Sequence, residues 1–311
     1  MDRKTLTGFI LIGAILLLWP SYSELISPSE KNPENPVLPD TTIVEKYSKK
    51  DQGVPKKTEG VQRNTESKTL TVDGGSYVAK INNIAGGSIV SFDLKKHLKS
   101  SEESLNLIDN QNSKNLVVSF INQSGEIVVL DELWSIVSGG SAVLSEENSA
   151  SSMVFETSYM GKPITKKLTF YYNSYEVDVH VSLREIKESS LDEKYVLSWV
   201  GGLPEHEGSQ DAMFMESLVS QAGSIESFRV GAAGFFGSSN TKNIDEESKK
   251  YVGLVDFAGY RTKYFGVFFV PEKSDIVEVY KYPSTNRAGV DINISQGINL
   301  EKNKLYLGPL D

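Results

Sequence analysis

From about residue 69 onward, apolar and polar positions alternate with period two. In Tyr175–Arg184 the odd positions are Tyr175, Val177, Val179, Val181 and Leu183, and the even ones are Glu176, Asp178, His180, Ser182 and Arg184. Such alternation predicts a strand with one wet face. Ser76–Asn82 repeats it through Tyr77, Ala79 and Ile81, Ser88–Lys95 through Val90, Phe92 and Leu94, and Ile164–Tyr172 reads similarly. Tyr264–Val270 is nearly all apolar, which predicts a central strand buried on both faces. Shorter strand-like runs cover Leu116–Ile121, Glu126–Leu130, Met153–Ser158, Tyr195–Val200, Tyr251–Phe257, Ile276–Tyr282 and Lys304–Leu307. Glycine pairs at 74–75, 86–87, 139–140 and 201–202 mark turns between many of them. One helix is predicted over Asp211–Gln221, stopped by Gly223. No fixed-period repeat occurs. The sum is an all-β fold, a large, mainly antiparallel sandwich with few short helices.

The N-terminus follows another rule. No charge lies between Lys4 and Glu24, a gap of 19 residues. As a helix that gap spans roughly 28 Å, close to the ~30 Å hydrocarbon core. Leu6, Phe9, Ile10, Leu11, Ile12, Ile15, Leu16, Leu17 and Leu18 each favour insertion, together by roughly 3 to 5 kcal/mol. Arg3 and Lys4 precede the apolar run, and Trp19 and Tyr22 sit at its far end, where interfacial aromatics belong. This predicts an anchor with its N-terminus in the cytoplasm and the remaining chain exported. A cleaved secretory signal is the competing reading, with Ser21 and Ser23 as a poor cleavage site crowded by Pro20 and Tyr22.

Residues 24–66 have Tyr47 as their single aromatic, and six of the eleven prolines fall within 20–66. That stretch buries too little apolar surface to offset ordering entropy, so it is expected to be a tether. Its r.m.s. reach is at least ~35 Å. The expected division is an anchor over 1–23, a Pro-rich linker over 24–66 and one domain over 67–311.

Composition narrows the function. The 311 residues are 39% hydrophobic and 23% charged, enough for a folded core. Thirty-two basic residues against 41 acidic ones give a net charge of -9. Residues 1–66 are balanced, nine against nine, so the excess lies in 67–311. This argues against nucleic-acid binding, which needs a basic surface. Zero cysteines exclude disulfides, thiolate catalysis and Cys-ligated metals.

Candidate chemistry is sparse. His180 lies on a polar strand face with Asp178 two residues earlier, and a metal site there would need a third ligand. His206 lies in an acidic stretch, Glu205–Glu207, and His97 closes a strand after Lys95 and Lys96. No G-x-S-x-G elbow occurs. Gly231–Gly237 lacks both dinucleotide spacing and a Walker lysine. The aromatics Trp134, Trp199 and Tyr260 would suit either a core or a sugar-lined cleft.

Six ordered segments resemble the N-terminal half of the YidC membrane-protein insertase family. The opening MDRKTLTGFILIGAILLLW resembles that family's M-D-R start and first membrane helix. A Pro-rich tether follows. Then LTVDGGSYVAKINNIAGGSIVSFDLKKH resembles the start of its exported domain through Gly86, Gly87, Ile89, Ser91, Leu94 and Lys95, with Ala85 and His97 departing. Lys167, Phe170, Tyr175, Val177 and Val179 match a strand hairpin. Tyr264, Phe265 and Pro271 match a K-Y-F…P segment. Finally LYLGPLD resembles the domain's end through Gly308, Pro309 and Asp311, with Leu310 in place of lysine.

The resemblance implies a mutarotase-like β-supersandwich without catalysis or cofactor. It implies an inner-membrane location with 67–311 in the periplasm. The implied partners are the Sec translocon, its SecD–SecF accessory subunits, nascent membrane proteins and the lipid bilayer. The family's insertion activity resides in five further membrane helices, and no run after residue 23 approaches 18 apolar residues. The expectation is therefore an accessory domain, either the front of a longer insertase or a freestanding remnant. A carbohydrate-binding or epimerase-like sandwich and an anchored chaperone-like domain are the alternatives.

Overall fold

The computed structural model describes residues 60–61, 66–98, 104–108, 114–200, 203–204, 214–229, 248–281 and 290–310. All belong to one compact unit, Val54–Asp311. The predicted membrane segment, Leu6 to Trp19 included, lies outside them, as do His206, Gly231–Gly237, Asp311 and the predicted tether apart from Gly60, Val61 and Glu66. Among the described residues no helix is long and apolar enough to cross a membrane.

The described chain is strand-built. The largest sheet runs in the order Ser224–Arg229 (β14), Glu216–Gln221 (β13), Phe257–Arg261 (β16), Phe265–Pro271 (β17), Lys302–Pro309 (β20), Glu176–Ser182 (β11), Lys162–Tyr171 (β10), Ala150–Tyr159 (β9) and Ser135–Ser138 (β7). A second sheet orders Ser248–Val255 (β15), Ser274–Lys281 (β18), Val290–Gly297 (β19), Ser190–Trp199 (β12), Val117–Asn122 (β5) and Ile127–Leu130 (β6). A third orders Ser104–Asn106 (β4), Ser88–Leu98 (β3), Tyr77–Asn82 (β2), Thr69–Asp73 (β1) and Ala142–Val143 (β8). Pairing is antiparallel apart from β1 with β8. A 3-10 turn, Arg184–Ser189, links β11 to β12. The all-β expectation holds.

The alternation sorts the faces as expected. In β11 every odd residue from Val177 to Val181 is buried and every even one is at least partly open. One hydrophobic cluster joins the inward faces of all three sheets, through Tyr77 and Phe92, Phe155 and Leu168, and Leu197 and Ile294. Trp134, Trp199 and Tyr260 belong to it, so they are core residues and line no sugar cleft.

Three expectations need correction. The helix expected over Asp211–Gln221 is overturned in its described part, because Glu216–Gln221 is β13, paired with both β14 and β16. Gly223 is no helix stop. With Ala222 at φ 51° and Gly223 at φ 77°, Gln221 faces Ser224 across a two-residue hairpin turn, a geometry that matches strand twist. Tyr251–Phe257 is not one strand either. It breaks at Asp256, and its halves join different sheets. Lastly, β17 is central but not wholly buried, since Val270 is 43% exposed.

Candidate functional site

The family-like positions converge as scaffold. Gly86 and Gly87 adopt φ of 72° and 109°, a region that favours glycine. A Cβ on Gly86 would stand 2.6 Å from the Trp134 ring, and one on Gly87 2.8 Å from Leu168 and Phe155. Ile89 is buried, and the Asn115 amide bonds both its N–H and its C=O at 2.8 Å, replacing a neighbouring strand. Ser91 Oγ donates to Asp93, and Leu94 faces Tyr77 in the core. Lys95 Nζ sits 2.5 Å from Asp73 Oδ1, and its hydrogen bond holds that carboxyl below its ordinary range.

The distant segments meet at one sheet end. Phe265 stands opposite Pro309, and Gly266 opposite Gly308. Leu310 N–H donates to the Tyr264 carbonyl at 2.7 Å, and His97 meets the Phe265 ring edge-on at 5.6 Å. Gly308 lets the Tyr175 ring lie against the backbone, where a Cβ would come within 2.7 Å of it. These residues hold the largest sheet together, and none forms a reactive constellation.

Lys166 is the residue that sequence reasoning missed. It shares parity with Ile164, Leu168 and Phe170 on β10 and is fully buried with them. Its ammonium donates to the carbonyls of Ala85 and Leu116 and lies 5.3 Å from the Trp134 ring centroid. Desolvation lowers its pKa to about 7. The signal was present, since a lysine sat in the apolar register of an alternating strand.

The open chemistry lies on the outward face of the largest sheet. A cleft of about 440 Å³ spans β10, β11, β20 and β17. Lys167, His180 and Lys302 form one cross-strand row, with His180 directly opposite both lysines. Thr169, Asp178 and Lys304 form the next. The acids here are engaged. Tyr171 Oη donates to Asp178 at 2.7 Å, which raises the phenol's pKa to about 12. Glu272 accepts from the Lys302 N–H at 3.2 Å. Glu301 takes Arg184 at 2.6 Å, Ser182 at 2.8 Å and His180 at 3.2 Å. Glu176 holds Lys304 at 3.1 Å, which raises that ammonium's pKa.

The metal option at His180 and Asp178 finds no support. Asp178 belongs to Tyr171, and among the described residues no three metal-ligating side chains cluster. Two positively charged lysines beside His180 would also repel a cation.

Fold and site together define an all-β sandwich domain with a solvent-facing cleft and a glycine-rich scaffold. Residues 69–311 match the YidC periplasmic domain, and the chain belongs to that family. Over 339 residues it is 24% identical to the membrane protein insertase YidC of Chlorobaculum parvum, covering 100% of this chain and 54% of that protein. The YidC of Methylobacillus flagellatus is 23% identical, covering 99% and 57%. The chain thus spans about half the length of these relatives. Among solved structures it is similar to a putative aldose 1-epimerase from Escherichia coli K12, at 9% identity and a TM-score of 0.41, covering 79% of this chain and 100% of that one. A galactose mutarotase-like protein from Lactobacillus casei gives 8% and 0.44, covering 78% and 100%.

Proposed function

We propose that residues 67–311 form the periplasmic, non-catalytic domain of a YidC-like insertase, assisting insertion and folding of membrane proteins. Residues 1–23 anchor it in the inner membrane with the N-terminus in the cytoplasm, and 24–66 tether it. Its partners are the Sec translocon, the SecD–SecF subunits and nascent membrane proteins. The observation that carries this proposal is the family match over 69–311. The site chemistry agrees with it, because the family-like residues serve packing and the cleft's carboxylates are already engaged in hydrogen bonds and ion pairs. Catalysis by acid and base would need such groups free to reach a substrate.

The test is co-purification from native membranes. The chain should recover SecD–SecF and the translocon, and deletion of 67–311 should abolish that recovery. Undiminished recovery after the deletion would refute the docking role.

A further inference from the structure

Two exposed rings share one corner of the domain. Trp134, Trp199 and Tyr260 are core residues, but Phe214 and Tyr264 are 37% and 43% exposed. Both rings face one cation. Lys263 Nζ lies 4.5 Å from the Tyr264 ring centroid and 5.8 Å from that of Phe214. The Thr262 N–H donates to the Phe265 carbonyl at 2.8 Å, and the Phe265 N–H to the Thr262 hydroxyl at 3.3 Å. These bonds close the hairpin between β16 and β17 and leave Lys263 and Tyr264 as its tip. The Leu310 N–H holds the Tyr264 carbonyl at 2.7 Å, so the tip is fixed to the sheet behind it.

The tip stands at the sheet end opposite the tether. The Met160 N–H donates to the Gly60 carbonyl at 2.8 Å, so the tether meets the domain at the β9–β10 turn. Lys162 faces Tyr159 at that end of the largest sheet. At the other end Tyr171 faces Ala150, Glu176 faces Tyr306, and Phe265 faces Pro309. The 10 residues of β10 separate the two ends by roughly 33 Å. A tether over 24–59 has an r.m.s. reach of roughly 30–36 Å. With the tip on the bilayer, the landing point at Gly60 stands one strand length above it, which that reach covers. One carboxylate at the tip end, Glu216, is buried and bonded by the Arg261 guanidinium, so it does not face outward.

We propose that the Lys263–Tyr264 tip, with Phe214 beside it, docks on the phospholipid headgroups of the membrane that anchors the chain. This rests on the anchored reading above. The rings sit at headgroup depth, where interfacial aromatics concentrate, and the Lys263 ammonium meets lipid phosphate. The ammonium over the ring faces keeps cation and rings at one depth. The chain's net charge of -9 falls within 67–311 and repels an anionic surface. A face that touches such a surface must lead with a cation and apolar area, as this tip does. Docking by this end stands the strands of the largest sheet steeply on the membrane and gives a tethered domain one orientation.

The experiment uses the full 311-residue chain in nanodiscs of phosphatidylethanolamine and phosphatidylglycerol. The chain has no cysteine, so Tyr264→Cys and, at the opposite sheet end, Met160→Cys each place a single bimane probe. Lipids bearing a doxyl group near the headgroup should quench the 264 probe by about half and the 160 probe by less than about a tenth. Adding Phe214→Ser and Lys263→Glu to Tyr264→Cys should lower the docked-to-free ratio by about tenfold, whereas Lys263→Arg, which keeps the cation, should leave it within about twofold. Equal quenching at both ends, or no effect of Phe214→Ser with Lys263→Glu, would overturn the site. A 264 probe unquenched by lipid yet shielded from aqueous iodide would assign the tip to a protein surface and overturn lipid as its occupant. Co-elution of the chain with the discs reads the parent anchor separately, so unquenched probes on co-eluting chain would sink the tip alone.

Discussion

Lys166 donates to the carbonyl of Ala85, 81 residues earlier, and Ala85 is one of six described non-glycine residues with positive φ. Its second acceptor, Leu116, is another, at φ 55°. Two strained peptide segments thus aim their carbonyls at one buried ammonium. The lysine ties the Ala85–Gly87 turn and the entry to β5 onto β10. Left-handed backbone costs a non-glycine residue about 1–2 kcal/mol, so each segment needs a partner that holds it.

This arrangement predicts a pH slope. The Lys166 pKa falls to about 7 in the folded chain from an ordinary 10.5. Between those values the unfolded chain holds a proton that the folded one lacks. Stability should therefore rise with pH from about 7 to 9.5, by at most about 1.4 kcal/mol per unit. Above about 10 the slope should reverse, because Tyr77, Tyr171 and Tyr195 keep their protons longer when folded. Denaturant midpoints across pH 7–9.5 read this directly. Lys166→Met should abolish the rise and cost about 1–3 kcal/mol at pH 9 through two orphaned carbonyls. A rise that survives in Lys166→Met would assign it elsewhere.

Two glycines separate backbone strain from collision. Gly87→Ala should cost about 3 kcal/mol, since it adds a Cβ at φ 109° against Leu168 and Phe155. Gly161 has φ 76° but no atom within 4 Å of its would-be Cβ, so Gly161→Ala should cost only about 1 kcal/mol. Equal costs would show that the Gly87 contacts relax freely.

The pattern of residues made the strands and their inward faces legible. Val177, Val179 and Val181 alternate in sequence and are buried in β11. The β13 hairpin was not legible, because Met215 and Val219 also stand at helical spacing and Gly223 reads as a helix stop. Tertiary pairing with β16 decided between the two periods. The cleft was legible only in part. The polar face of β11 was evident, but the row through Lys167 and Lys302 depends on register between strands 135 residues apart in sequence. Local alternation carries no information on register between distant strands.

A buried polar knot pins the loop between β19 and β20. Tyr195 Oη donates to the Leu300 carbonyl at 2.9 Å and accepts from Gln296 and, at 3.3 Å, from Asn303. Tyr195→Phe keeps the ring and leaves two amide donors and one carbonyl short of a partner. It should cost about 2 kcal/mol by chemical denaturation. A neutral effect would mean that these groups find other acceptors.

Residues 67–311 are proposed above to be an anchored domain on the periplasmic side of the inner membrane. Protease protection with an antibody against 67–311 tests it most directly. In spheroplasts, added protease should remove the signal, while inverted inner-membrane vesicles should protect it until detergent is added. Washing with carbonate should leave the chain in the membrane pellet. Protection in spheroplasts with cleavage in inverted vesicles would place the domain in the cytoplasm and contradict the proposed topology.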